Sequence, residues 1–417
     1  MSEWKEVAIS DVADLTVGFV GSMVNEYRAS GVRFIRSMNV HPFRIDLSDV
    51  KYISEEFNEK ISKSQLRPND VVIVRTGQPG ASAVIPEDVG SLNCSDLVII
   101  HPDQSKVDPL FLSAYINLSS GVVASNLVGA VQQHFNVGAA KKMMIKIPDI
   151  KTQKRISGLI GRINDKIETN KRINQNVIQQ AQMIYKSWFI DFNSFSDSLV
   201  MSPAGFEVPE SLTMVQIQDL PHILETGKRP KGGAVSEGVP SIGAENVKML
   251  GVFDSSSAKF IPTEYAASMK KGKIEGYELL LYKDGGKPGT FIPHFSMFGE
   301  GFPYEEFYIN EHVFKLDFHD RGFNEFTYFY MQTDYSYHWL ANNGGKAAIP
   351  GINQQDVNSI WIYHPSNHKV QEFCKWVQPI FTTIFTNCAQ NMKLEKLRDT
   401  LLPCLMSGEI DVSNIAV

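Results

Sequence analysis

Four cysteines in 417 residues form no Cys-x-x-Cys pair and stand beside no histidines that would complete a metal set. That spacing argues against a disulfide framework or a zinc site, and for free thiols in a reducing cytoplasm. No apolar run approaches the ~20 residues of a membrane helix, and the start, MSEWKEVAIS, has no basic stretch leading into an apolar core. A cytoplasmic protein with no membrane role is expected. Basic charge is scarce too. The net charge of −6 argues against a nucleic-acid binder that works alone. Only the segment 149–192 has more basic than acidic residues, so partners or local patches would have to neutralise much of any bound DNA. Signatures of catalysis are missing as well: there is no HExxH, GxSxG or GxGxxG, no Asn-Pro-Pro-Tyr-like loop for amino methylation, and the ten histidines are scattered. A non-enzyme is expected, with no catalytic residue, no metal site and no cofactor bound by this chain.

What is present is a repeat. The chain is too long for one core, and 43% hydrophobic with 21% charged residues suits soluble globular domains. Asn136 matches Asn353 and Pro148 matches Pro365 at one constant offset. Upstream, GVRFIRSMNV (31–40) aligns with GVPSIGAENV (238–247), and NDVVIVRTGQPG (69–80) with YELLLYKDGGKPG (277–289). Each half is therefore read as a globular domain followed by a long helix: domains at 1–148 and 193–366, helices at 149–192 and 367–411. Apolar runs at 71–75, 97–101, 278–282 and 312–316 predict strands, and 108–118 and 324–333 predict short helices, so the class is α+β. Pro148-Asp149 and Pro365-Ser366 open the long helices. Leu402-Pro403 and the glycine of LMSGEI end the second. Pro379 falls inside it and predicts a bend or a late start.

The first long helix carries a seam of Ile156, Ile160, Ile163, Ile167, Asn170, Asn174, Val177, Ala181, Ile184 and Trp188. Steps of four and three are coiled-coil spacing. The second helix repeats the seam as Phe373, Val377, Ile380, Ile384, Asn387, Asn391 and Leu394. Two asparagines thus sit at the same two core positions in both helices. An amide left unanswered there costs about 1–3 kcal/mol, so a partner is expected.

The exposed turns and loops carry the candidate chemistry. RTGQPG (75–80) and DGGKPG (284–289) are glycine-rich but lack the GK[ST] of a phosphate-binding P-loop. Tight strand-end turns or DNA readout remain. GAVQQHFN (129–136) and GKAAIPGIN (345–353) occupy equivalent places ahead of the helices, and their amides and lysine suit base contact, as do those of the turns. Candidate DNA contacts are Arg36, Asn39, Arg75, Thr76, Gln78, Gln132, Gln133, Lys228, Arg229, Lys231, Lys287 and Lys346. The cluster Lys270-Lys271-Lys273 is a further phosphate candidate, with a solvated surface as the plain alternative. Dense aromatics from Phe291 to Tyr330 fit a packed core better than a pocket for an extruded base.

IPDIKTQKRISGLI…YKSWFIDF (147–192) and LEKLRDTLLPCLMSGEI (394–410) resemble the two helical regions of the specificity subunits of type I restriction–modification systems. The resemblance covers the whole chain through its duplicated layout. It implies two target-recognition domains, each reading one half of a bipartite site in double-stranded DNA. Two long antiparallel helices, related by a pseudo-two-fold internal repeat, would space the domains. They would also bind two methyltransferase subunits. It further implies an endonuclease/translocase subunit, and S-adenosylmethionine and ATP with Mg held by the partner subunits. The alternative is a coiled-coil scaffold with two protein-binding domains and no DNA role. Under antiparallel packing Asn170 faces Asn391 and Asn174 faces Asn387; parallel packing would set Asn170 against Asn387. A solvated seam edge is the remaining possibility.

Overall fold

The computed structural model describes residues 4–77, 79–119, 135–254, 257–345 and 350–415. The chain separates into two compact units, Met1–Ile167 with Leu394–Val417 and Glu168–Lys393. These bounds cut through both long helices, because each half-helix packs on the core of its own unit.

The main sheet of unit 1 is an antiparallel four-stranded one, in the order Ser82–Val84, β1 (Val71–Val74), β2 (Leu97–Pro102), Ala13–Val17. Val71, Val72, Ile73 and Val74 are all buried, so β1 is covered on both faces. That explains its unbroken apolar run in place of an alternating one. A second sheet holds Val32–Ile35 parallel to Leu92–Cys94 and antiparallel to Lys51–Ile53. The helix Pro109–Leu118, capped by Asp108, lies in the core. The chain then pairs Met144–Ile147 with Lys5–Ala8 and enters helix α1 (Ile150–Phe189), whose first amides bond the Asp149 carboxyl. Within unit 1, Ile156 and Ile160 share a core with Leu402, Leu405 and Met406.

The main sheet of unit 2 has the matching order: Phe295–Met297, β3 (Leu279–Tyr282), β4 (Val313–Asp317), Ile223–Thr226. Its second sheet holds Val239–Ile242 parallel to Tyr308–Ile309 and antiparallel to Lys259–Ile261. The helix Arg321–Tyr330, capped by Asp320, takes the place of Pro109–Leu118 and begins ahead of the 324–333 run because that cap lies earlier. Trp361–Tyr363 pairs with Met214–Gln216 and leads into helix α2 (His368–Ser407). Phe291, Phe298, Phe302, Phe323, Phe326 and Phe329 are buried in the unit's core.

One backbone detail recurs. Gly31 and Gly238 open corresponding strands with φ of +133° and +145°. A Cβ on either would stand 2.3 or 2.2 Å from the carbonyl oxygen of Ile53 or Ile261 on the neighbouring strand. Only glycine fits.

Helix α2 departs from expectation. It starts at His368, capped by Asn367, and runs through Pro379 and Pro403 to Gly408, whose φ is +76°. Each proline removes the bond to the carbonyl four residues earlier. Those carbonyls belong to Lys375 and Asp399, both exposed residues, so water can satisfy them and packing keeps the helix going.

Within unit 2 the two long helices run antiparallel. Trp188 meets Phe373 with ring centroids 6.2 Å apart, Asn170 Nδ2 donates to Asn391 Oδ1 at 2.8 Å, and Asn387 Nδ2 donates to Asn174 Oδ1 at 2.8 Å. Within unit 1, Arg398 Nη1 donates to Asn164 Oδ1 at 3.1 Å in the same sense.

Candidate nucleic-acid interface

In unit 1 the register Val74↔Leu97 leaves the residue after β1 beside the residue before β2. These are Arg75 and Asp96. Arg75 Nη1 lies 2.9 Å from Asp96 Oδ1, and Thr76 Oγ1 donates to Asp96 Oδ2 at 2.7 Å. Arg75 Nε also donates to the carbonyl of Phe135, at 3.1 Å. The RTG turn, the turn before β2 and the segment ahead of the helix Val137–Lys142 therefore meet at one corner. Arg36 stands near it, donating through Nη2 to the Asp49 carboxylate at 3.0 Å. Hydrogen bonds from Lys51 and Arg36 hold the Asp49 carboxyl below its ordinary range.

Asn39 is a correction. It is only 2% exposed, and its amide accepts from the backbone N–H of Arg36 at 2.9 Å and donates to the carbonyl of Asp46 at 3.0 Å. It closes the short turn Ser37–Asn39 and cannot reach a base. Asn246 does the same work at the equivalent place, accepting from Gly243 N–H at 3.0 Å.

Unit 2 builds the same corner with other side chains. The register Tyr282↔Val313 sets Lys283 and Asp284 beside His312. Asp284 takes hydrogen bonds from Lys283 Nζ and pairs with His312 Nδ1. Burial works against the Asp284 charge, yet Lys283 and His312 hold its carboxyl below the ordinary range. Glu311 Oε1 lies 3.2 Å from His312 Nε2 and 3.1 Å from Arg229 Nε, so a line of charge runs from Arg229 to Lys283. Ile352 N–H donates to the carbonyl of Lys283 at 2.8 Å and Gly285 N–H to that of Pro350 at 2.9 Å. The segment ahead of the helix Gln354–Asn358 is thereby folded onto the DGGKPG turn, which carries the exposed Lys287.

The two basic clusters of unit 2 also converge. A Cβ on Gly272 would stand 2.7 Å from Gly227 Cα. That close approach sets Lys228, Arg229 and Lys231 beside Lys270, Lys271 and Lys273, all exposed. Gln78, Gln132, Gln133 and Lys346 lie outside the described residues.

Sequence reasoning missed Asp96, Glu311, His312 and Asp284. The signal was present: Asp96 and Glu311-His312 immediately precede the apolar runs of β2 and β4, where a strand-leading turn presents its side chains at the sheet end.

Elsewhere, unit 2 encloses an open cavity of about 800 Å³ lined by Tyr185, Phe189, Phe206, Phe329, Tyr330 and Tyr335. Burial pushes the Tyr185 and Tyr330 hydroxyls well above their ordinary value, far from the range of a general acid or base at neutral pH. Among the described residues no group of His, Cys, Asp and Glu is placed to hold a metal ion, and no helix is long and apolar enough to cross a membrane.

Residues 1–179 match the family described as type I restriction modification DNA specificity domain. Across its length the chain is similar to the type I restriction enzyme HindI specificity subunit of Haemophilus influenzae, at 24% identity over 98% of this chain and 100% of the relative. It is likewise similar to the MjaIX specificity subunit of Methanocaldococcus jannaschii, at 22% identity over 99% of this chain and 95% of the relative. Among solved structures, a type I restriction–modification S subunit from M. genitalium shares the fold, with a TM-score of 0.58 at 12% identity, covering 97% of this chain and 96% of that one. The specificity-domain match includes the whole unit 1 corner, while the full-length relatives extend the likeness over unit 2.

Proposed function

We propose that the chain is the sequence-specific DNA-recognition subunit of a type I restriction–modification complex and has no catalytic site of its own. Each unit reads one half of a bipartite duplex target through its sheet-end corner. The long helices act as a coiled-coil ruler and dock two methyltransferase subunits. An endonuclease/translocase subunit joins that assembly, and S-adenosylmethionine and ATP with Mg belong to the partners.

The observation that carries this reading is the duplicated corner. One backbone arrangement presents Arg75, Thr76 and Asp96 in one unit and Lys283, Asp284 and His312 in the other. Guanidinium, carboxylate, imidazole and ammonium groups are the types that pair with base edges and phosphates. A tandem repeat that keeps its frame and changes these groups is what two different half-sites require. A scaffold with two protein-binding domains would not need charged groups at matching sheet ends. The test is duplex binding by the chain together with its methyltransferase partner. Salt-sensitive binding to one bipartite sequence supports the reading, and equal binding to scrambled duplexes contradicts it.

A further inference from the structure

We infer that the two amide layers between α1 and α2 select one register of the helix pair, at the expense of stability, and so fix the number of base pairs between the two halves of the target. The functional consequence rests on the DNA-recognition reading; the register itself does not.

The inner layer is buried. Asn170 is fully buried and Asn391 is 7% exposed. Asn170 Nδ2 donates to Asn391 Oδ1 at 2.8 Å and to Gln390 Oε1 at 2.7 Å. Its own Oδ1 is buried without a hydrogen-bond partner. The half-buried layer pairs Asn387 Nδ2 with Asn174 Oδ1 at 2.8 Å, while Asn174 Nδ2 reaches the Ile384 carbonyl at 3.0 Å and Cys388 Sγ at 3.4 Å. An orphaned oxygen in the centre of a seam is a poor way to gain stability. It is a good way to reject alternatives, because a polar core position specifies register at a cost.

The seam residues named beside the asparagines are apolar and heptad-spaced, so apolar packing alone would not reject a slip of one heptad. One such slip sets Asn170 against Ile384, Asn174 against Ile380, Asn387 against Ile167 and Asn391 against Ile163. The opposite slip sets Asn170 against Arg398, Asn174 against Leu394, Asn387 against Ala181 and Asn391 against Val177. Both separate every amide from its amide partner; only Asn170, facing Arg398 in the opposite slip, meets another polar group, and a buried amide without a partner is strongly disfavoured. Only the observed register pairs all four.

The test replaces all four residues (Asn170→Leu, Asn174→Leu, Asn387→Leu, Asn391→Leu) in the full chain, assembled with its partner subunits. Thermal melting and the sequence of the methylated sites are then read. The expected result is a cooperative melt no lower than that of the native chain, with the single spacer replaced by a mixture of spacer lengths and at least tenfold less methylation at the native one. A second variant, Asn174→Leu with Asn387→Leu, removes only the half-buried layer and should give a smaller admixture of new spacers. One unchanged spacer at native rate, or a quadruple variant that no longer melts cooperatively, overturns the inference. A native chain that directs methylation to no bipartite site would instead overturn the proposed function.

Discussion

The loop that follows the first strand of the main sheet stands at one place in both units and carries opposite chemistry. In unit 1 it is Gly18-Phe-Val-Gly-Ser-Met-Val, with Val20 68% and Val24 83% exposed. In unit 2 it is Gly227-Lys-Arg-Pro-Lys, and Arg229 bonds Glu311 at the sheet end. The registers Val17↔Val98 and Thr226↔Phe314 show that the two loops leave from equivalent points. The frame is common, whereas the groups presented are not. An apolar loop suits thymine methyl groups and base faces, and a cationic loop suits phosphates. On the proposed DNA-recognition reading, the two units would divide their DNA contacts differently even where their strands leave in equivalent registers.

The comparison breaks first if the frames are not equally rigid. Gly31→Ala and Gly238→Ala should each destabilise the unit concerned by about 3 kcal/mol or more, since a positive φ and a blocked Cβ combine. Thermal melts that fall for one and not the other would deny the equivalence. A sharper contrast is electrostatic. Replacing Lys228, Arg229 and Lys231 by alanine should weaken duplex binding about 10- to 100-fold and flatten the slope of log K against log salt by roughly two to three. Val20→Ser with Val24→Ser should leave that slope unchanged and alter the preferred bases of one half-site.

Acid stability offers a third contrast. Glu325 in unit 2 is fully buried, and burial pushes its carboxyl up to about 7 against the opposing bond from Arg321. The native state therefore holds a proton that the unfolded chain has released. The resulting stability is complete below the unfolded pKa and is lost as pH rises from about 4.5 through about 7, by at most about 3 kcal/mol. Glu325→Gln should remove this dependence, so that melts of the variant between pH 5 and 8 stay level while those of the native chain decline. The smallest effect is at the corner itself. Asp96→Asn weakens the bonds to Arg75 and Thr76 and should cost about 1 kcal/mol. It should shift specificity in one half-site alone, read from the methylated motif.

Much of the frame was legible. The apolar runs at 71–75, 97–101, 278–282 and 312–316 predicted strands that form at Val71–Val74, Leu97–Pro102, Leu279–Tyr282 and Val313–Asp317, because buried strands leave apolar runs that mutation cannot easily interrupt. Asn39 was misread because an exposed-looking asparagine after a strand serves equally as a turn closure. Its match to Asn246 in the aligned segment was the clue. The late helix start at Pro379 and the stop at Leu402-Pro403 did not follow, because proline cost is local and helix packing is not. Asp96 and His312 were invisible as partners of Arg75 and Asp284, since a register across two strands brings together residues that spacing along the chain keeps apart.

The central claim is that each unit reads its own half of the target. The most direct measurement exchanges residues 1–148 for the matching domain of a relative, expresses the hybrid with its partner subunits, and maps the methylated sites. The account predicts a motif with one half replaced and the other half and the spacer unchanged; a motif altered in both halves would contradict it.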